Sequence, residues 1–197
     1  SNIRDVSLRN INVGATLPSF AGLSNVRSLT LAFNNTAIAL PALTLATGGN
    51  LSVTAGGPIS QAGPLVVPGT ASFTAGANTI TLTDGSNDFT GAVSLTNSGA
   101  NNVAVTDANA LVIGTTNVGQ DLALTAGSHI SQSGAITATG GVTTVSVTSA
   151  ASDILLGTQA NDFGTSAPVF GGTVANIRDV SLRNINAGAV LPSFAGL

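Results

Sequence analysis

Six residue types are missing from this 197-residue chain: cysteine, methionine, tryptophan, tyrosine, lysine and glutamate. Without cysteine there can be no disulfide and no thiolate metal ligand. Without methionine the chain is expected to be an internal piece of a longer protein, with any export signal encoded elsewhere. Lysine, glutamate and methionine favour helices, and the residues that remain in quantity (valine, isoleucine, threonine, serine, asparagine and glycine) favour strands and turns. Charge is scarce: 7% of residues are charged, against roughly 25% in an ordinary globular protein. A net charge of −3 with only five arginines argues against nucleic-acid binding, which needs clustered basic residues. Mean hydropathy is positive, at +0.45. Yet the most apolar stretch, residues 38–46, contains Pro41 and is too short for a bilayer span, which takes about 20 residues.

What is present is repetition. Residues 2–23 read NIRDVSLRNINVGATLPSFAGL, and residues 176–197 read NIRDVSLRNINAGAVLPSFAGL. The two copies differ only at Val13/Ala187 and Thr16/Val190, and lie 174 residues apart. Residues 1–174 are therefore expected to be one complete long repeat, and residues 175–197 the start of the next, continuing the same solenoid. A weaker internal repeat relates residues 51–65, LSVTAGGPISQAGPL, to residues 122–136, LALTAGSHISQSGAI. Asn87-Asp88-Phe89 likewise returns as Asn161-Asp162-Phe163.

A third level sets the fold. Apolar–small–apolar triplets recur at Val6-Ser7-Leu8, Leu29-Thr30-Leu31, Leu51-Ser52-Val53, Val93-Ser94-Leu95, Leu122-Ala123-Leu124, Val145-Ser146-Val147 and Val180-Ser181-Leu182, with Ala71-Ser72-Phe73 as a degenerate member. Read as a single column, five of the seven steps are 20–23 residues, and the other two are 29 and 35. The long steps imply an inserted loop, a half-coil (Val103-Ala104-Val105 is a candidate) or a further coil. Alternation turns one set of side chains inward, and only stacking of successive coils buries that row. The expected fold is all-β: a right-handed parallel β-helix, or β-solenoid, of about 20–23 residues per coil. Seven or eight coils at about 4.8 Å each rise roughly 34–38 Å per unit. A β-sandwich is the rival fold, but it accounts less simply for the near-constant step.

The pattern L-x-L-T-A-G-x-x-I-x-x-S-G-x-I at residues 122–136, with Ala62 for serine in the earlier copy, resembles the repeats of filamentous haemagglutinin-like exoproteins. Residues 102–119, NVAVTDANALVIGTTNVG, look like the linking coils of large repetitive surface proteins in that group. The resemblance implies a rod-like, secreted bacterial surface molecule that adheres to hosts or neighbouring cells or builds biofilm.

Chemistry is sparse. His129 is the sole histidine, with Ser128 adjacent and Asp121 upstream. Its counterpart in the related segment is Pro58, so it reads as a permissive corner and not as part of a triad. Asp84 and Asp88 flank Gly85-Ser86-Asn87, too few ligands for calcium, and they read as hydrogen-bonded corners, as does Asp162. The scattered aspartates and the missing aromatic platform argue against glycoside hydrolysis. The threonines of Thr79-Ile80-Thr81-Leu82-Thr83 read as ordinary strand residues, not an ice-binding array. No residues are expected to be catalytic, cofactor-binding or metal-binding, and no cofactor is expected. The arginines are uneven: Arg4, Arg9 and Arg27 cluster at the start, and Arg178 and Arg183 repeat the first two. They read either as a solvated face or as a stripe for lateral contact with aspartate-rich segments of another rod. The expected function is a rod or stalk segment of a tandemly repeated, extracellular adhesin or filament, not an enzyme. The alternative is a repeat-borne binding module for a glycan, a matrix protein or identical rods; a β-helical carbohydrate-active enzyme is a remote third. Expected partners are neighbouring repeats of the same chain, and the open strand edges at both ends should promote end-to-end association.

Overall fold

In the computed structural model, which describes residues 3–20 and 25–197, the apolar–small–apolar triplets form strands. Asn2 and residues 21–23 of the long repeat lie outside the described residues. A single strand, β1 (Asp5–Asn10), comes first. Coils of three short strands follow. They are β2 (Ser28–Phe33), β3 (Ile38–Leu40) and β4 (Leu43–Thr44); then β5 (Asn50–Ala55), β6 (Ile59–Gln61) and β7 (Leu65–Val67); then β8 (Ala71–Thr74), β9 (Ile80–Leu82) and β10 (Asp88–Phe89). The next coils are β11 (Val93–Thr96), β12 (Val103–Asp107) and β13 (Leu111–Ile113); β14 (Thr116–Asn117), β15 (Leu122–Ala126) and β16 (Ile130–Gln132); and β17 (Ile136–Thr137), β18 (Thr143–Val147) and β19 (Ser152–Asn161). β20 (Val169–Phe170), a short 3-10 turn and β21 (Ile177–Asn184) complete the order.

Every strand pairing is parallel, each strand lying on its equivalent one coil away. The protein is thus an all-β solenoid of about eight turns. Three ladders run along it. The first holds β1, β2, β5, β8, β11, β14 and β17. The second holds β3, β6, β9, β12, β15, β18 and β20. The third begins as β4, β7 and β10 and continues as β13, β16, β19 and β21. Between β10 and β13 the third ladder shifts: β13 touches β11 through the single pair Val93↔Ile113, while β14 continues from β11 at Thr96↔Asn117. The first and third ladders therefore join there into one forked, 11-stranded sheet.

These ladders correct the single column read from the triplets. Its first members lie in the first ladder, but Leu122-Ala123-Leu124 and Val145-Ser146-Val147 lie in β15 and β18 of the second. Val180-Ser181-Leu182 lies in β21 of the third. Each long step is one coil plus one further side, with neither an inserted loop nor an additional whole coil. Val103-Ala104-Val105 is a full rung of the second ladder, paired to β9 and β15. Counted by register, coils run from 19 residues (Leu111↔Ile130) to 26 (Ile154↔Val180), a wider range than the 20–23 expected.

The core is the inward row. Leu29, Leu51, Phe73, Val93, Ile113, Ile130 and Ile154 are each at most 1% exposed, and burying such a side chain contributes roughly 1.5–3 kcal/mol. Phe73 and Phe89 meet edge-on with ring centroids 6.2 Å apart, a favoured aromatic geometry. Close coil-to-coil approach fixes the corners. A methyl group at Gly56 would overlap the Asn34 carbonyl oxygen, and one at Gly127 the Ala108 carbonyl oxygen. These glycines are equivalent positions of the internal repeat, and each donates its N–H to the strand one coil before, to Phe33 and Asp107.

One inward position breaks the apolar rule. Thr143, at the head of β18, is 1% exposed and stacks on Leu122. Its hydroxyl has no hydrogen-bond partner among the described residues. The matching position of β8 is Ala71. Replacing a buried, unsatisfied hydroxyl by a methyl of the same shape removes a desolvation penalty. Thr143→Val is expected to stabilise the fold by about 1 kcal/mol, seen as a higher urea midpoint with an unchanged slope.

Candidate functional site

The polar groups that this solenoid buries are the natural place to look for a site, because each must be matched or carry a cost. Asn87 and Asn161 are both fully buried. Asn87 accepts hydrogen bonds from the Leu65 N–H (2.9 Å) and from the Gln61 amide (2.8 Å). It donates to Gln61 Oε1 (3.0 Å), to the Leu82 carbonyl (3.2 Å) and to the Thr106 carbonyl (3.1 Å). Gln61 also donates to the Gly63 carbonyl at 2.8 Å. Three successive coils are tied by one side chain. The second set is a near copy. Asn161 accepts from the Ile136 N–H (2.9 Å) and the Gln132 amide (2.8 Å), and donates to Gln132 Oε1 (3.0 Å) and the Leu156 carbonyl (2.8 Å). Gln132 donates to the Gly134 carbonyl at 2.8 Å. The Asn-Asp-Phe and Ile-Ser-Gln recurrences were the sequence signal. Read as surface corners, they gave no hint that the asparagine of one meets the glutamine of the other.

Around each clamp a further side chain caps the phenylalanine that follows. Asp107 accepts the Phe89 N–H at 2.8 Å and its own Asn109 N–H at 2.7 Å. Asn184 takes the same place in the later copy, accepting the Phe163 N–H (3.2 Å) and the Asn186 N–H (3.1 Å). Asp107 is 1% exposed. Burial pushes its carboxyl above the ordinary range; the Asn109 and Phe89 N–H groups pull it back, and nearby Asp88 pushes it up again.

The other residues singled out from the sequence are dispersed. Asp121 lies at a separate corner, where its carboxylate accepts the Val142 N–H at 2.9 Å. His129 instead meets Asp153: its Nδ1 accepts the Asp153 N–H at 2.9 Å and lies 3.3 Å from the carboxylate. An Nδ1 that accepts leaves the neutral ring's proton on Nε2. That is the reverse of the triad arrangement, in which Nδ1–H donates to the acid. Position 129 is thus a bonded contact between coils and not merely a permissive corner. Asp84 closes its own turn by accepting the Ser86 N–H at 2.9 Å, and Asp162 accepts from Gly164 (2.9 Å) and from the Asn186 side chain (3.0 Å). Among the described residues no group of three or more histidine or carboxylate side chains is placed to hold a metal ion.

Of the arginines, Arg178 is the most engaged. Its Nε donates to Asp153 at 2.9 Å and to Asp179 at 3.0 Å, and its Nη2 completes a two-point contact with Asp153. The Arg178 hydrogen bonds hold the Asp153 carboxyl below its ordinary range, and Asp153 in turn raises the guanidinium. Arg27 reaches Asp5 at 3.5 Å with both side chains more than half exposed, a pairing worth little in water. Arg9 and Arg183 sit at exposed positions of β1 and β21. Arg4 is exposed and forms no ion pair among the described residues.

A family model described as repeats of unknown function (DUF5649) matches the chain twice, over residues 26–96 and 100–169. The chain belongs to this family. No curated protein and no solved structure matches it. Each DUF5649 repeat holds one complete glutamine–asparagine clamp, Gln61–Asn87 in the first and Gln132–Asn161 in the second. The clamp is therefore an element of the repeat itself.

Asn87→Ala and Asn161→Ala should each strand a buried N–H and a buried glutamine amide. Each is expected to cost about 3 kcal/mol, read as a drop in urea midpoint. A coupling energy near zero in the Gln61/Asn87 double-mutant cycle would contradict a shared clamp. Asp107 gives a pH prediction. Its folded-state carboxyl keeps a proton at pH values where the unfolded chain has lost it, so stability falls as pH rises from about 3.8 through the raised folded-state value. Asp107→Asn can adopt the bonding of Asn184, so it should flatten that decline and leave the protein more stable at pH 7, measured by urea melts across pH 4–7.

Proposed function

We propose that this chain is a rod segment of a secreted, tandemly repeated bacterial surface adhesin or extracellular filament, with a structural and not a catalytic role. One observation carries the reading. The same sequence forms a strand at both ends of the solenoid: β1 pairs with β2, and β21 pairs with β19. A copy that begins a unit and a copy that ends one thus sit in the same kind of ladder, as an uninterrupted rod requires. The family resemblance of residues 122–136 to filamentous haemagglutinin-like exoproteins supports the extracellular setting. The sparse charge and the serine- and threonine-rich outer rows suit a surface presented many times over. Neighbouring units are the first partners of such a segment, with glycan, matrix or lateral rod contacts borne on its outer faces.

A stalk sets length. From β1 to β21 the chain climbs seven coils and two sides, or about 37 Å at 4.8 Å per coil. Tandem chains of one, two and four 174-residue units should lengthen by about this increment per unit in electron micrographs. Equal lengths, or globular particles at every copy number, would sink the proposal.

A further inference from the structure

β1 and β21 carry the same sequence but sit in different surroundings. β21 lies on the outer edge of β19, with Asp153↔Asp179, Ile154↔Val180, Leu155↔Ser181, Leu156↔Leu182 and Asn161↔Asn184 in register. Beyond the backbone, the contact uses Arg178 on Asp153, Asn184 on the Phe163 N–H, Asn186 on Asp162, and Phe194 against Phe170 with ring centroids 5.9 Å apart. At the other end, β1 pairs only with β2, and its second edge is open. The matching side chains are all there: Arg4 for Arg178, Asn10 for Asn184, Asn12 for Asn186 and Phe20 for Phe194. Arg4 is exposed and outside any ion pair among the described residues, whereas its counterpart makes the two-point contact with Asp153.

We propose that β1 of one copy and β21 of another are interchangeable occupants of the β19 edge, so that copies of this chain link head to tail by strand exchange. The partner is a second copy of this chain, and the docking surface is its Ser152–Asn161 strand together with Asp153, Phe163 and Phe170. The incoming strand makes the same hydrogen bonds, ion pair and ring contact as the strand it displaces. Covalent attachment favours the chain's own β21, with an effective concentration on the order of millimolar. Exchange therefore becomes measurable as the protein concentration approaches that value. It differs from simple stacking of open ends because it frees β21 while it covers β1.

The absence of lysine makes trypsin a clean reporter, since it can cut only after Arg4, Arg9, Arg27, Arg178 and Arg183. Raising the 197-residue chain from micromolar to millimolar concentration should slow cleavage after Arg9 several-fold and speed cleavage after Arg183 by a similar factor. Slowing at both sites would mean end stacking without exchange, and no change at either would mean no association; both results overturn the proposal. Two charge variants provide a second reading by sedimentation. Arg4→Asp spoils only the incoming strand and should reduce the oligomer fraction. Arg178→Asp weakens only the resident strand and should increase it. Movement of both variants in the same direction, or of neither, would refute exchange.

Discussion

A coil of this solenoid has no hydrogen-bonding partner inside itself. Its strands are two to ten residues long, and every ladder bond runs to the coil before or after it. The inner row of one coil is likewise covered only by the inner rows of its neighbours. Registry between coils is therefore the constraint on which everything else depends. A strand that slips by one residue turns its apolar set outward, and the slip would be passed along the whole ladder. The glycines at 56 and 127 enforce this registry sterically, because the carbonyl one coil away occupies the space that a side chain would need.

The clamps are the polar counterpart of that constraint. A coil of varying length must leave the ladder somewhere, and the chain does so between Leu82 and Asp88 and again between Leu156 and Asp162. Backbone groups at these exits lose their ladder partners while still buried. Asn87 and Asn161 fill the gap with an amide that both donates and accepts, and Gln61 and Gln132 hold those amides in place. An aspartate could not donate and a leucine could do neither. The second exit is longer by three residues than the first, since Gln132 to Asn161 spans 29 positions and Gln61 to Asn87 spans 26. Yet the clamp closes with nearly the same distances. The amide pair absorbs variation in loop length that the apolar rows could not.

Much of this was legible in the sequence. Composition and the triplet period pointed to a parallel solenoid, and the positions of β1, β2, β5, β8 and β11 follow directly from the triplets at Leu8, Leu31, Val53, Phe73 and Leu95. What misled the reading was its best signal. The triplet Leu122-Ala123-Leu124 looks like Leu51-Ser52-Val53 because both begin the same segment of a duplicated unit, but sequence likeness reports ancestry and not azimuth. The strands that truly continue the first ladder, Val93–Thr96 to Thr116–Asn117 to Ile136–Thr137, shorten to two residues and carry no triplet at all. The clamps were illegible for a related reason. Gln61 and Asn87 are 26 residues apart, and only a known coil length brings them face to face. His129 was weighed against Asp121, eight positions away, when its true neighbour Asp153 is one coil on.

The rotation has a physical consequence for any array of these units. β5 lies in the first ladder and its repeat counterpart β15 in the second, so the internal repeat climbs three coils and one side. β1 lies in the first ladder and its identical counterpart β21 in the third, so the 174-residue unit climbs seven coils and two sides. A feature carried on one side of a unit, such as exposed Arg9, therefore reappears on a different side in the next, as Arg183 does. It returns to its starting side only after three units. A stripe of arginines along one flank, which would bond a neighbouring rod at every unit, cannot arise from this geometry. The charges instead wind around the axis, and a given flank presents them once in three units. Whatever the outer surface recognises, it meets a rod with nearly equivalent sides, and lateral contacts between rods are diluted threefold along any one line of approach. Growth along the axis is thus favoured over growth across it, because the end of the rod offers a complete set of matched partners while each flank offers only a sparse one.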